Sequence, residues 1–172
     1  TGAFTTFQAF PATNSQSFTF TGTGTQRLSA VFRDALGNPS TVVFDDITLD
    51  TTPPIVSGVV PTLVTSAPDP TFIATGAVGV RLNPPPPADA TKTWVVQVPP
   101  STACTDPSVF TGAIARPVTT DVALVTAGGD GLKRLCFAFA DEALNQSTPL
   151  TLDFTVDTTP PGAPEVSTPS TL

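Results

Sequence analysis

An internal repeat constrains the fold of this chain more than any other feature of its sequence. Residues 24–54 align without a gap on residues 131–161, an offset of 107 residues, and both copies end in Asp-Thr-Thr-Pro-Pro. This period is longer than that of helical solenoid repeats and is typical of one small β-sandwich domain per repeat. We therefore expect an all-β chain built from tandem domains.

Each copy of the repeat predicts two strands. Apolar and polar residues alternate along both, which is typical of a strand with one face on a core. The apolar positions are Leu28, Ala30, Phe32, Val43, Ile47 and Leu49 in the first copy, and Leu135, Phe137, Phe139, Leu150, Phe154 and Val156 in the second. Asp45, which aligns with Leu152, interrupts the alternation. Between the strands stand Asp34 and Asn38, or Asp141 and Asn145, whose side chains bond nearby backbone amides, so each copy predicts a hairpin.

Residues 55–160 contain enough strands for a complete sandwich. We expect strands at residues 55–60, 71–82, 92–98, 109–114, 119–125, 132–140 and 148–156. Short strands in this number over about 105 residues match an immunoglobulin-type sandwich of two sheets. Trp94 is in phase with Val96 and Val98, and we expect it to pack between the sheets.

The hairpin and its linker resemble the tandem immunoglobulin-like or fibronectin type III-like repeats of bacterial secreted and surface proteins, in which Asp-x-Ala-Gly-Asn-x-Ser and Asp-Thr-Thr-x-Pro recur. The resemblance covers residues 24–54 and 131–161. It implies tandem Ig-like antiparallel β-sandwich domains, which serve as stalks, spacers and adhesive modules alike. The second copy departs from the pattern, because Leu144 stands where the first copy has Gly37.

The repeated linker sets the expected domain boundaries. Residues 1–52 are predicted to be the C-terminal part of an Ig-like domain that is incomplete in this chain, with additional strands at 3–10 and 17–23. Residues 53–159 form a complete Ig-like domain, and residues 160–172 are a linker and the first strand of a following domain. A half sandwich leaves apolar side chains uncovered, here Phe4, Phe10, Phe18 and Phe20. A longer parent chain or strands of another chain would complete it.

The two cysteines predict a disulfide. Cys136 aligns with Ser29 on the outward side of its strand, and Cys104 lies in a long Pro- and Ser-rich connection, so a bond between them would hold this connection over the outer face of a sheet. A disulfide implies an oxidising, extracellular compartment. The alternative is a pair of free thiols in a cytosolic protein.

Calcium at a domain junction is the one cofactor that the sequence suggests. Asp50 leaves the first domain towards an end of the second that carries oxygen ligands of the type calcium binds. The candidate ligands are Asp50, Asp89, Asp141, Glu142 and Asn145. The alternative is that Asp50 and Asp157 cap turns, while Asp141 and Asn145 serve only the hairpin.

Composition excludes several classes of function. The chain has no histidine, so a Ser-His-Asp or Cys-His system is ruled out. Seven basic against 14 acidic residues give a net charge of −7, which disfavours nucleic acid as a partner. The adjacent carboxylates Asp45-Asp46 and Asp141-Glu142 diverge on a strand or turn, so they do not form a glycosidase pair. We expect no enzyme and no membrane insertion in this segment.

The proline pairs favour a mechanical function. Pro53 and Pro54, and Pro160 and Pro161, favour an extended path that separates consecutive domains. We expect a non-catalytic spacer of a bacterial surface, stalk or fibre protein, whose partners are neighbouring repeats of the same or adjacent chains. One alternative is an adhesin-type module that binds carbohydrate or protein, with or without calcium. Another is a filament subunit completed by strand exchange through residues 162–172.

Overall fold

The computed structural model describes residues 8–9, 11, 13, 15–65, 67 and 69–164. The chain divides into two compact units, Thr1–Thr52 and Pro53–Leu172, called unit 1 and unit 2. The described residues are nearly all in strands, turns and extended segments, and all but one of the strand pairings are antiparallel. Residues 165–172 of the strand predicted at 162–172 lie outside these residues.

The described part of unit 1 holds one β-hairpin. β1 (Gly24–Ala30) pairs antiparallel with β2 (Val43–Leu49). The strand predicted at 17–23 is wrong, because residues 15–21 form no ladder with the described residues and Gly22 takes a φ of 107°, which interrupts an extended strand. The strand predicted at 3–10 lies almost entirely outside the described residues, as do Phe4 and Phe10.

Unit 2 is built from two sheets. Its strands are β3 (Val60–Val64), β4 (Phe72–Ile73), β5 (Ala77–Asn83), β6 (Lys92–Val98), β7 (Arg116–Pro117), β8 (Asp121–Val125), β9 (Gly131–Ala140) and β10 (Leu150–Val156). One sheet has the order β3-β5-β8 and the other β4-β10-β9-β6-β7. β4 pairs parallel with β10.

Apolar residues of both sheets share one core, which makes unit 2 a two-layer β-sandwich. Val78, Val80 and Leu82 of β5 and Val122 of β8 are buried in one layer, and Leu135, Phe137, Phe139, Phe154 and Val156 in the other. Each set occupies alternate positions of its strands, as the pleat requires. The apolar positions predicted for the second copy are therefore core positions.

Three strands predicted for unit 2 also differ from the structure. The strand at 55–60 is wrong: β3 begins at Val60, and Val56 and Val59 are buried in a turn that precedes it. The segment 71–82 is broken at residues 74–76, because β4 joins β10 and β5 joins the opposite sheet. The strand at 109–114 is wrong, since Asp106 caps a 3₁₀ helix over Pro107–Phe110 by accepting the amide of Ser108.

Trp94 lies on the opposite face from the one predicted. Its neighbour Val95 stands across from core residue Phe137 and packs against the core, whereas Trp94 stands across from Ala138 on the outer face of the sheet. Trp94 is half-buried. The expectation was wrong because both faces of this sheet are partly covered, so alternation alone does not identify the inner one.

The chain passes through unit 2 from one end to the other. Val60, the first residue of β3, stands opposite Asn83, and the connection from Asn83 leads to β6, whose first residue stands opposite Ala140. Val156, the last residue of β10, stands opposite Gly131 at the far end of β9. We call these the upstream and downstream ends of unit 2.

Candidate functional site

The hairpin turn is built in the same way in both copies. Asp34 Oδ1 accepts the backbone amide of Asn38 at 2.8 Å, and Asp34 Oδ2 accepts the Asn38 side-chain amide at 2.8 Å. Asp141 accepts the same two groups of Asn145 at 2.9 and 2.8 Å. In each copy the asparagine side chain is the main cause of a pKa below the ordinary value for the aspartate.

The residue before each asparagine has a left-handed backbone. Gly37 has a φ of 88° and Leu144, at the equivalent position, a φ of 69°. The loss of the glycine therefore does not change the course of the turn. A leucine side chain in this region is strained, whereas glycine is not.

An arginine–aspartate pair crosses each hairpin at the same position. Arg27 Nε and Nη2 donate to the two carboxylate oxygens of Asp46, both at 2.7 Å. Arg134 makes the same two bonds to Asp153, at the same distances, and also donates to the Thr102 carbonyl at 3.0 Å. These bonds hold the pKa of both carboxyls below the ordinary value. Sequence identity marked these residues without indicating that they pair.

The two hairpins differ in burial. Ile47 of β2 is 51% exposed, whereas Phe154 at the equivalent position is 1% exposed. Val43 is likewise exposed, and its counterpart Leu150 packs against the core. The side of the first hairpin that corresponds to the core side of unit 2 is thus exposed at Val43, Asp45 and Ile47 and half-buried at Leu28, Ala30 and Leu49.

The linker after each hairpin begins with an Asx turn. The amide of Thr52 donates to Asp50 at 2.9 Å and that of Thr159 to Asp157 at 3.1 Å. In unit 2 Asp130 adds a clamp, because it accepts the amide and the hydroxyl of Thr158 and the hydroxyl of Thr159. These bonds, the Thr158 hydroxyl first, lower the Asp130 pKa. Asp130 aligns with Thr23, so the repeat gave no signal for this clamp.

Cys104 and Cys136 form a disulfide. Cys136 is fully buried on the face of β9 that is turned away from the core, and Cys104 is 5% exposed. The connection between β6 and β7 therefore lies over the outer face of the five-stranded sheet, as the sequence predicts. This covering explains why β9 is buried on both faces from Leu135 to Ala140.

The four candidate calcium ligands that belong to unit 2 do not form one cluster. Asp141 and Asn145 bind each other within the turn. Glu142 accepts the Thr91 hydroxyl at 3.2 Å, and Asp89 lies in the adjoining turn at the upstream end. Asp50 belongs to unit 1. Within the described residues no three Asp, Glu, Cys or His side chains are grouped as a metal site would need, and the calcium hypothesis stays untested.

Comparison with known proteins adds no relative. No protein-family model matches this chain, and no curated protein matches it either. In the described part of the chain, no helix has the length and apolar character needed to cross a membrane. Any assignment of function therefore depends on the geometry of the two hairpins, the linker and the sandwich.

Proposed function

We propose that this chain is a non-catalytic spacer made of immunoglobulin-like domains in an extracellular bacterial stalk, fibre or surface protein. The observation that carries the proposal is the path of the chain through unit 2. It arrives at one end of the sandwich and leaves at the other. A spacer needs this arrangement, because each added domain then adds length.

The order of the strands supports the immunoglobulin-like assignment. β3, β5 and β8 correspond to strands A, B and E of that fold, and β6, β9 and β10 to C, F and G, with β9 in the centre. The disulfide differs from that of antibody domains, because it ties a loop to the outer face of β9 and not one sheet to the other. It supports an oxidising location.

The linker provides the test of the spacer function. Pro53 and Pro54 restrict the path between the units, and replacing both with glycine removes that restriction. We expect small-angle scattering of the Pro53→Gly/Pro54→Gly chain to show a broader distribution of interatomic distances. Pro160→Gly/Pro161→Gly serves as a control, since this pair follows unit 2; both of its prolines are exposed, whereas Pro54 is buried, so Pro53→Gly alone is measured as well. Identical scattering from all of these proteins would contradict the proposal.

A further inference from the structure

The exposed apolar side of the β1–β2 hairpin corresponds to the side of the β9–β10 hairpin that is buried in the core of unit 2. Unit 2 therefore shows which kind of segment packs on such a hairpin. We propose that this face is closed by a polypeptide segment with the strand pattern of residues 53–107, located N-terminal to the hairpin in the same polypeptide. The inference rests on the proposed function, because it assumes that unit 1 belongs to a tandem array. It adds the identity of the partner of unit 1.

The backbone of the first hairpin already has the form that such a partner binds. The pairing of β1 with β2 follows the same register as that of β9 with β10 at the 107-residue offset, so that Leu28 faces Asp45 as Leu135 faces Leu152. The arginine–aspartate pair and the turn are also the same. A segment that fits one hairpin therefore meets the same geometry on the other.

Unit 2 shows which strands form the cover. Val78, Val80 and Leu82 of β5 are buried against the core side of β9 and β10, and β6 pairs along β9 from Lys92 to Val98. All of these residues lie within residues 53–107, whereas Val122 of β8, which is buried in the same layer as β5, lies outside this range. The exposed Val43 and Ile47 of the first hairpin are apolar residues at the positions that this cover buries in unit 2.

The number of covers excludes an exchange between two copies of this chain. The described residues contain two hairpins of the repeat, β1–β2 and β9–β10, and one cover, which is already packed on β9–β10. If a second copy lent its cover to β1–β2, its own Phe137, Phe139 and Phe154 would lose theirs. Swapping residues 53–107 between copies thus leaves as many open hairpins as before, so this exchange would not close the first hairpin.

Asp45 is compatible with this partner. Its counterpart Leu152 is only half-buried, although it packs against the core. The position therefore lies at the margin of the buried face, where a carboxylate keeps contact with water. The segment that covers the hairpin therefore does not need a positively charged side chain to pair with the Asp45 carboxylate.

The experiment restores the cover and measures protection of the first hairpin. Residues 53–107 are fused in front of Thr1 of the full chain, with Cys104→Ser in the added copy because its partner position is Ser29. We expect amide hydrogen exchange in residues 24–30 and 43–49 to slow at least about tenfold. Exchange in β9 and β10 should not change and is the internal reference.

The control fusion carries Val78→Asp and Val80→Asp in the added copy only. Its amide hydrogens in residues 24–30 and 43–49 should exchange as fast as those of the unfused chain. Equal exchange in the fusion and the control would overturn the proposal. Protection that rises with the concentration of the unfused chain would also overturn it, because copies would then cover each other. If the Pro53→Gly/Pro54→Gly chain scattered like the wild type, the spacer function would be refuted. The protection of residues 24–30 and 43–49 in the fusion would not be affected by that outcome.

A transplant tests the same fit if the fusion does not stay soluble. Residues 131–157 are replaced by residues 24–50 in a Cys104→Ser background, with Cys104→Ser/Cys136→Ser as the reference. We expect the transplanted chain to unfold cooperatively in urea, at a lower midpoint than the reference. Adding Asp45→Leu to the transplanted chain should raise that midpoint. Failure of both transplants to unfold cooperatively would show that this cover does not fit the first hairpin and would overturn the proposal.

Discussion

At the scale of single residues, the turn of unit 2 carries a strain that its repeat partner avoids. Leu144 is 60% exposed and has a left-handed backbone, whereas Gly37 has the same backbone without a side chain. The bonds between Asp141 and Asn145 on either side hold the turn in place. The sequence marked the exchange of glycine for leucine, but only the structure shows that the backbone stays the same.

Leu144→Gly should stabilise unit 2. The left-handed region costs a non-glycine residue about 1–2 kcal/mol, and the greater freedom of glycine in the unfolded chain offsets part of that, so we expect a net gain of about 0.5–1 kcal/mol. Urea unfolding measures it. Leu132→Gly is the control, because Leu132 is an exposed leucine in β9 with a negative φ, and it should destabilise. A lower stability of Leu144→Gly would contradict the claim that Leu144 is strained.

Asp141 should make the stability of unit 2 depend on pH. Its pKa is lowered in the folded state, chiefly by the Asn145 side chain, so its contribution is present above the ordinary value of about 3.9 and is lost as the pH falls through the folded pKa. We expect the urea midpoint to fall below about pH 4, and to fall less steeply in Asp141→Asn. Leu144→Gly keeps the Asp141 carboxylate, so its urea midpoint should fall with pH as steeply as that of the wild type. An unchanged slope in Asp141→Asn would show that other groups cause the loss.

At the scale of elements, the disulfide should contribute a large share of the stability of unit 2. The bridge spans 32 residues, and closing a loop of this size contributes about 3–4 kcal/mol through the unfolded chain. We expect reductant to lower the urea midpoint of the wild type by the corresponding amount. The Cys104→Ser/Cys136→Ser chain should have the lower midpoint with or without reductant. A wild-type midpoint that ignores full reduction would contradict this account.

The elements also show which features the sequence could predict. β6 matches its predicted bounds, and the repeat located both hairpins, because alternation and Asx turns are local signals. The 3₁₀ helix after Asp106 was missed because a local cap overrode an apolar run. The split of residues 71–82 and the outward face of Trp94 depend on which strands become neighbours, and that is decided by the whole sandwich.

At the scale of the whole molecule, only unit 2 should melt cooperatively. A lone two-stranded hairpin with an exposed apolar side is marginally stable at best in water. We expect the calorimetric enthalpy of the full chain to equal that of a chain beginning at Pro53, about 70 kcal/mol for the roughly 100 residues of the sandwich. The temperature midpoints of the two chains should also agree. A clearly larger enthalpy for the full chain would show that unit 1 folds cooperatively by itself.

The course of the chain from the upstream to the downstream end of unit 2 decides how the sandwich would bear a pulling force. Tension on the two linkers acts along the strands, so the ladder bonds of β3 with β5 and of β10 with β9 are loaded together in shear and are not opened one after another. If the sandwich did give way, the Cys104–Cys136 bond would keep the 32-residue loop from extending. Under such a force, unit 2 would therefore combine resistance to rupture with a limit on how far it lengthens.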